Sequence, residues 1–117
     1  MFFYEDENGY NEVLAVIHDL ECKSPTDKSS RINYQKIIAY LDMLEEKGLQ
    51  LKEPFIKHIE DDIWELRPLR NRIFFAYYKD NRFIVLTYFL KKSQKTPRRE
   101  IERAKRVFKN FLDGEES

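Results

Sequence analysis

Three arginines lie within six residues of one another, at positions 67, 70 and 72. The guanidinium group stays charged at any useful pH, and its planar fork can bind two oxygens of one phosphate. Arg67, Arg70 and Arg72 therefore predict a concave site for phosphate groups. The alternative is a sheet face that carries surface ion pairs, which contribute little to stability.

A lysine-rich segment, Lys91–Lys95, follows the last predicted strand, and we call it the basic loop. Cations on a loop at the end of a sheet can follow a nucleic-acid backbone. A lysine among other cations can also take part in proton transfer. The alternative is a solvated loop without a ligand. The cations of this loop, with the two arginines that come after it, are Lys91, Lys92, Lys95, Arg98 and Arg99.

Three further side chains could serve such a site. His58 lies in a predicted strand, and an imidazole near arginines could act as a general base. Tyr78 and Tyr88 provide rings on which nucleic-acid bases could stack. For each of them the alternative is a structural role within the fold.

Several familiar catalytic motifs are absent from the sequence. It contains no glycine-rich phosphate loop, no serine nucleophile motif, no paired metal carboxylates and no Cys/His cluster for zinc. The sequence therefore predicts neither a metal nor a cofactor. Catalysis would be acid–base chemistry with cationic stabilisation of the transition state. RNA suits this chemistry because its own 2′-hydroxyl supplies the nucleophile.

The elements that must position these residues begin with a short aromatic strand, Met1–Glu5. Apolar residues then recur at helical spacing over 11–21 and again over 29–47, which predicts two amphipathic helices. Gly48 stands where a helix would end in a left-handed conformation. We expect the two helices to form an antiparallel pair.

After Pro54 the apolar pattern changes to a period of two, which predicts β-strands. Asp61-Asp62 predicts a bulge or turn within one long strand pair, and the segment 79–82 predicts a hairpin. Thr96 is the expected N-cap of a basic C-terminal helix, with Pro97 at its first position. The predicted order is β-α-α-β-β-β-α, a small α+β domain with a mainly antiparallel sheet. The strands are predicted at Phe55–Ile59, Ile63–Arg67, Arg72–Lys79 and Arg82–Leu90.

Strand alternation groups some of the charged residues. It places Glu65 and Arg67 on one face of their strand, opposite Trp64 and Leu66. In the following strand Arg72 shares a face with the apolar residues at every second position. Selected charges therefore lie on predicted sheet faces rather than scattered in loops.

Length and charge limit the class of protein. The 117 residues, 42% of them hydrophobic, suit one domain spanning 1–117 and exclude full disorder. Residues 1–62 carry 7 Lys and Arg against 14 Asp and Glu, whereas residues 63–117 carry 14 against 7. The basic half therefore predicts a polyanionic partner. No apolar run predicts a membrane span, the acidic N-terminus predicts no signal peptide, and a single cysteine favours the cytoplasm.

The segments that carry these residues resemble the phage-derived, HigB-like branch of the RelE/ParE toxin superfamily. The similarity is strongest from about 55 to 106. Its most specific feature is Trp-Glu-Leu-Arg at 64–67, followed by Lys-Thr-Pro at 95–97 ahead of a basic helix. The two predicted N-terminal helices match in pattern alone.

This resemblance implies a type II toxin, an endoribonuclease that cleaves mRNA in the ribosomal decoding site. It also implies a helix-turn-helix, HigA-like antitoxin that neutralises the toxin in a hetero-oligomer. Arg72 matches the strand arginine that family members place near the scissile phosphate, and Arg67 matches the arginine of the Trp-Glu-Leu-Arg motif. Lys92 and Lys95 lie where related toxins carry basic residues. The cations expected to bind RNA around them are Arg70, Lys91, Arg98 and Arg99.

The sequence departs from the family at the proton-transfer group. Some relatives carry a His or Tyr near the C-terminus, and this sequence has neither after Tyr88. A lysine, His58 and Tyr88 are therefore the candidates for the general base. The superfamily also contains ParE-like members that inhibit DNA gyrase without cleaving RNA, so the fold alone does not assign the activity. That inhibition and simple RNA binding by a basic module are the alternative functions.

Overall fold

The N-terminal half forms the predicted helix pair. The computed structural model describes residues 1–80 and 82–116. Helix α1 (Glu12–Lys23) begins where the Asn11 side-chain oxygen accepts hydrogen bonds from two backbone N–H groups of the first turn, at 2.9 and 3.0 Å. Helix α2 (Lys28–Lys47) ends at Gly48 as predicted, and the positive φ of 56° at this residue favours glycine. A 3₁₀ turn (Gly48–Gln50) leads to the sheet.

Within residues 1–80 and 82–116, five strands form one sheet: β1 (Phe2–Phe3), β2 (Ile56–Glu60), β3 (Ile63–Leu66), β4 (Asn71–Tyr78) and β5 (Arg82–Leu90). Their order across the sheet is β1-β5-β4-β3-β2. Strand β1 pairs with β5 in parallel and the other neighbours are antiparallel, so the α+β class with a mainly antiparallel sheet is confirmed. Four strands follow the helix pair where the predicted order had three, because the turn at Asp61-Asp62 separates β2 from β3.

Helices cover both faces of this sheet. On one face α1 and α2 pack against the sheet through a buried cluster that includes Ile37, Leu44 and Phe75. On the other face helix α3 (Arg98–Glu116) packs through Ile101 and Phe108. Burial of each large apolar side chain contributes about 1.5–3 kcal/mol. Among the described residues, no helix is both long enough and apolar enough to cross a membrane.

A register shift in β5 changes which residues face α3. Phe74 pairs with Thr87, whereas Phe75 pairs with Val85, so Leu86 is the extra residue of a β-bulge. Because side chains alternate along a strand, the extra residue reverses the face of everything beyond it. Tyr88 consequently packs on the α1–α2 side, together with Val85. The hairpin predicted at 79–82 joins β4 to β5; Asp80 has a φ of 62°, and Asn81 lies outside the described residues.

The end of β5 is held by an ionic clasp between α1 and α3. The Glu12 carboxylate accepts a hydrogen bond from Tyr88 N at 2.6 Å and two from Arg103 Nη1 at 2.8 and 2.7 Å. Arg103 Nη2 also donates to Tyr88 O at 3.0 Å. Both helices are thereby fixed to the strand just before the basic loop.

Removal of this clasp is expected to destabilise the protein. Glu12→Ala leaves Tyr88 N and the Arg103 guanidinium without their shared acceptor, which should lower the free energy of unfolding by about 1–3 kcal/mol. Urea denaturation measures this change. Glu7→Ala removes an exposed carboxylate from the same region and is the matched control; equal losses in the two variants would contradict the role of the clasp.

Candidate functional site

A cleft of about 320 Å³ lies at one end of the sheet, between β4, the end of β5, the basic loop and the start of α3. We call it the cation cleft. Among the described residues, Glu100 is the one acid in its lining, and that carboxylate is paired with Arg103 at 2.9 Å. The cleft therefore has a strong positive potential and favours anions. Its cationic lining residues are Arg67, Arg72, Lys91, Lys92, Lys95 and Arg99.

A buried carboxylate lies beneath this positive charge. Glu65 is 0% exposed, and its Oε1 is 3.3 Å from Arg67 Nε and 3.8 Å from Arg72 Nε. Strand alternation predicted the face shared by Glu65 and Arg67, and the pairing of Glu65 with Phe74 places that face beside Arg72. Loss of hydration raises the pKa of Glu65, and the charges of Arg72 and Arg67 oppose that rise.

Thr96 connects the same carboxylate to the segment after the basic loop. Its hydroxyl donates to Glu65 Oε2 at 3.2 Å. Helix α3 begins at Arg98, so the prediction that Thr96 is its N-cap is wrong. The Pro97 carbonyl accepts the first backbone hydrogen bonds of the helix instead, from Glu100 N and Ile101 N. The buried acid has no water to donate to it, so the Thr96 hydroxyl takes the place of a water donor.

Arg72 is the most tightly held cation of the cleft. It is buried, and its Nη1 donates to Leu69 O and to Asn71 O, each at 2.8 Å. Leu69 has a φ of 58°, in a tight turn closed by Asn71 N and Pro68 O at 3.0 Å. Burial lowers the pKa of Arg72, and the charge of Glu65 opposes that effect. The guanidinium is therefore a fixed charge at the floor of the cleft.

Three other cations of the cleft are free to meet an external anion. Lys92, Lys95 and Arg99 are exposed, and within the described residues none of them forms an ion pair. Arg70 lies beside the cleft, where its Nη2 donates to Lys91 O at 3.0 Å. These four side chains and Lys91 surround Arg72 without restraining it.

Arg98 is turned away from this group. Its guanidinium donates to both oxygens of Glu60, at 2.7 and 3.0 Å, and also to Glu102. Its charge is thus matched by two carboxylates, one on β2 and one on α3. The sequence could not distinguish Arg98 from Arg99, because the partner Glu60 is 38 residues away along the chain.

The two non-lysine candidates for the general base lie on the opposite face of the sheet. The His58 ring packs against Trp64 with their centroids 4.9 Å apart, and a ring nitrogen is 2.7 Å from Asp61 O. The Tyr88 hydroxyl donates to Asn71 Oδ1 at 2.6 Å, and burial raises its pKa. Neither side chain lines the cation cleft, whereas Lys92 and Lys95 do.

The arrangement can bind phosphate groups and stabilise added negative charge on one of them. Among the described residues, no three His, Cys, Asp or Glu side chains are grouped so that they could hold a metal ion. Sequence reasoning assigned Glu65 no role. The signal that could have found it is an acid in an apolar strand, at a position that shares its face with an arginine.

A family model described as phage-derived protein Gp49-like (DUF891) matches residues 24–109. The matched segment contains α2, the four strands that follow it, most of α3 and every residue of the cation cleft. A comparison with curated proteins found no match.

Glu60 forms pH-dependent ion pairs that join the edge strand β2 to α3. Besides Arg98, it accepts a hydrogen bond from Lys105 Nζ at 2.6 Å. The hydrogen bonds from Arg98 and then from Lys105 lower the pKa of Glu60 from 4.5 to about 2. Because the pKa of Glu60 is lower in the folded state than in the unfolded state, these ion pairs stabilise the fold above pH 4.5. This contribution is lost as the pH falls toward 2.

Acidification should therefore affect the wild type more than Glu60→Gln, which cannot titrate at this position. We expect the free energy of unfolding of the wild type to fall more steeply between about pH 5 and pH 2. Urea denaturation at a series of pH values measures both slopes, and Glu115→Gln controls for the loss of an exposed carboxylate. Parallel curves for wild type and Glu60→Gln would contradict the assignment.

Proposed function

The chain belongs to the Gp49-like family of phage-derived proteins, a RelE/HigB-like toxin family, and on that premise we propose that it is a ribosome-dependent endoribonuclease that cleaves mRNA. The observation that carries this proposal is the cation cleft, where a fixed arginine is surrounded by unpaired cations. RNA offers the phosphates that such a cleft attracts, and it contains its own nucleophile. Translation would stop because the message is cut during decoding.

The proposed reaction is an in-line attack within the RNA. A base removes the proton of the 2′-hydroxyl, the 2′-oxygen bonds to the adjacent phosphorus, and the bond to the 5′-oxygen breaks. The products are a 2′,3′-cyclic phosphate and a 5′-hydroxyl, whose oxygen takes a proton. Lys92 and Lys95 are the candidates for proton transfer, because they line the cleft and His58 and Tyr88 do not.

Arg72 would stabilise the transition state of this reaction. The phosphorus gains a fifth oxygen and additional negative charge there, and a guanidinium that is already fixed pays no reorganisation cost in meeting it. Arg67 lies on the same face and would contact the same phosphate group. Lys91, Arg70 and Arg99 would bind flanking phosphates and hold the message in place.

The family implies an antitoxin partner, and we infer that the partner is a helix-turn-helix protein. An acidic segment of that protein would complement the positive potential of the cation cleft. Bound there, it would exclude mRNA from Arg72 and neutralise the toxin within a hetero-oligomer.

Induction of the protein alone should stop translation first. Pulse labelling is expected to show that incorporation of amino acids falls before incorporation of thymidine, and mapping of mRNA 5′ ends should show new cuts in register with codons. Co-expression of the antitoxin should abolish both effects. An earlier fall in DNA synthesis would instead indicate inhibition of gyrase, and translation arrest without new 5′ ends would indicate a module that binds RNA without cleaving it.

Single substitutions should separate catalysis from binding. Arg72→Ala removes the fixed charge next to the reacting phosphate, so single-turnover cleavage on programmed ribosomes should slow by about a hundredfold. Ribosome affinity should change little. Arg99→Ala should instead weaken binding and reduce its dependence on salt, with the cleavage step close to normal.

Arg98→Ala is the matched control for Arg99→Ala, since it removes a neighbouring arginine that is already paired with Glu60 and Glu102. Its effect on the salt dependence of binding should be the smaller of the two. Full single-turnover cleavage by Arg72→Ala would show that the site is assigned wrongly.

A further inference from the structure

Glu65 is a buried acid that cannot reach a bound ligand. It is completely covered, and it contributes nothing to the lining of the cation cleft. Its Oε1 and Arg67 Nε face each other at 3.3 Å without a hydrogen bond, and both atoms are inaccessible to solvent. A direct catalytic role is excluded by this burial, so any role of Glu65 in the reaction must act through its neighbours.

Stability alone gives little reason for a carboxylate at this position. The neighbours of Glu65 along β3 and across to β4 are buried apolar residues, among them Leu66 and Phe74. A well-packed apolar residue would suit such a place, and exchange of buried ion pairs for apolar groups is often neutral or stabilising. The presence of a carboxylate is therefore better explained by its contacts with residues of the cleft than by the stability of the core.

The contacts of Glu65 join three parts of the cleft. Through Oε1 it faces the guanidinium groups of Arg67, just after β3, and Arg72, on β4. Through Oε2 it accepts from Thr96, directly after the basic loop. One buried group is thus shared by both arginines and by the segment that carries Lys92 and Lys95 into α3.

We propose that Glu65 is the positioning residue of the cleft: its carboxylate orients Arg67 and Arg72 and anchors the basic loop through Thr96, and its charge weakens the binding of RNA. The proposal rests on the proposed function, because it assigns Glu65 a part in RNA cleavage. Glu65 fixes the guanidinium groups in the geometry that the transition state needs. The same negative charge, within 4 Å of both arginines, reduces their attraction for phosphate in the ground state.

The two effects predict a result that a merely structural residue would not give. Glu65→Gln keeps the shape of the side chain and an oxygen that can accept from Thr96, but it removes the charge. Cleavage should then become slower while RNA binding becomes tighter. A variant that is simply damaged would lose both properties together.

The test measures the two steps separately. Single-turnover cleavage on programmed ribosomes gives the rate constant, which we expect to fall by about tenfold to a hundredfold in Glu65→Gln, the scale of a small misplacement of reacting groups. Binding of a single-stranded 2′-deoxy oligonucleotide, which lacks the nucleophile, gives the affinity, which we expect to rise several-fold. A wild-type cleavage rate, or weaker binding by a folded Glu65→Gln protein, would overturn the proposal.

Thr96→Val provides a second variant that leaves the charge of the cleft unchanged. It removes the donor to Glu65 Oε2 and keeps the size of the side chain, so cleavage should slow while oligonucleotide affinity stays within about twofold, because no charged group has been removed. Should Glu65→Gln fail to fold, Thr96→Val tests the positioning role of Glu65 by itself. Cleavage by Thr96→Val at the wild-type rate would then overturn the proposal.

A readout that needs no activity separates this inference from the proposed function. In NMR relaxation measurements the Nε–H order parameters of Arg67 and Arg72 should be high in the wild type and lower in Glu65→Gln, because the carboxylate that orients both guanidinium groups has lost its charge. If the wild type fails to cleave RNA, the proposed function fails, and the order parameters and oligonucleotide affinities still test the positioning role. Equal order parameters in the two proteins would overturn it.

Discussion

A carboxylate that is removed from water must be matched by positive charge, and Glu65 is such a carboxylate in this protein. The acid is covered on all sides, and the groups that compensate it are Arg67, Arg72 and the hydroxyl of Thr96. These groups come from different parts of the chain. Their convergence on one buried oxygen pair makes the sheet end, the basic loop and the start of α3 a single unit.

The surrounding fold restrains the same region from outside. Glu12 and Arg103 bind the backbone of Tyr88, so the end of β5 that leads into the basic loop is held in place between α1 and α3. The left-handed turn at Leu69 provides one of the carbonyls that hold Arg72. The result is a cleft with a rigid cationic floor and exposed lysines above it, which suits a long, flexible polyanion better than a small molecule.

Much of this arrangement could be predicted from local sequence. The helical spacing over 11–47 and the alternation after Pro54 gave the element types, and alternation alone put Glu65 and Arg67 on one face. The faces of candidate bases could not be predicted in the same way. Simple alternation from Val85 would place Tyr88 on the α3 side, and the bulge at Leu86, set by pairing with β4, moves it to the other side.

Contacts between residues distant along the chain explain the other differences between the sequence predictions and the structure. Arg98 and Arg99 are equivalent in the sequence, and the position of Glu60 on the edge strand decides that Arg98 is neutralised while Arg99 remains free. Thr96 has the sequence context of a helix cap, but α3 begins at Arg98 and the Thr96 hydroxyl donates to the buried Glu65. In each case the partner that decides the outcome is distant along the chain, so local sequence preference alone could not identify it.

In the proposed reaction a phosphate of mRNA binds over Arg72 in the cation cleft. The most direct test is the structure of the protein on a programmed ribosome, with an mRNA that carries a 2′-O-methyl group at the cleavage position. We expect one mRNA phosphate within hydrogen-bond distance of the Arg72 guanidinium, with Lys92 and Lys95 on the same or adjacent phosphates. An mRNA bound instead along the face that carries His58 and Tyr88, or a cation cleft turned away from the decoding site, would contradict it.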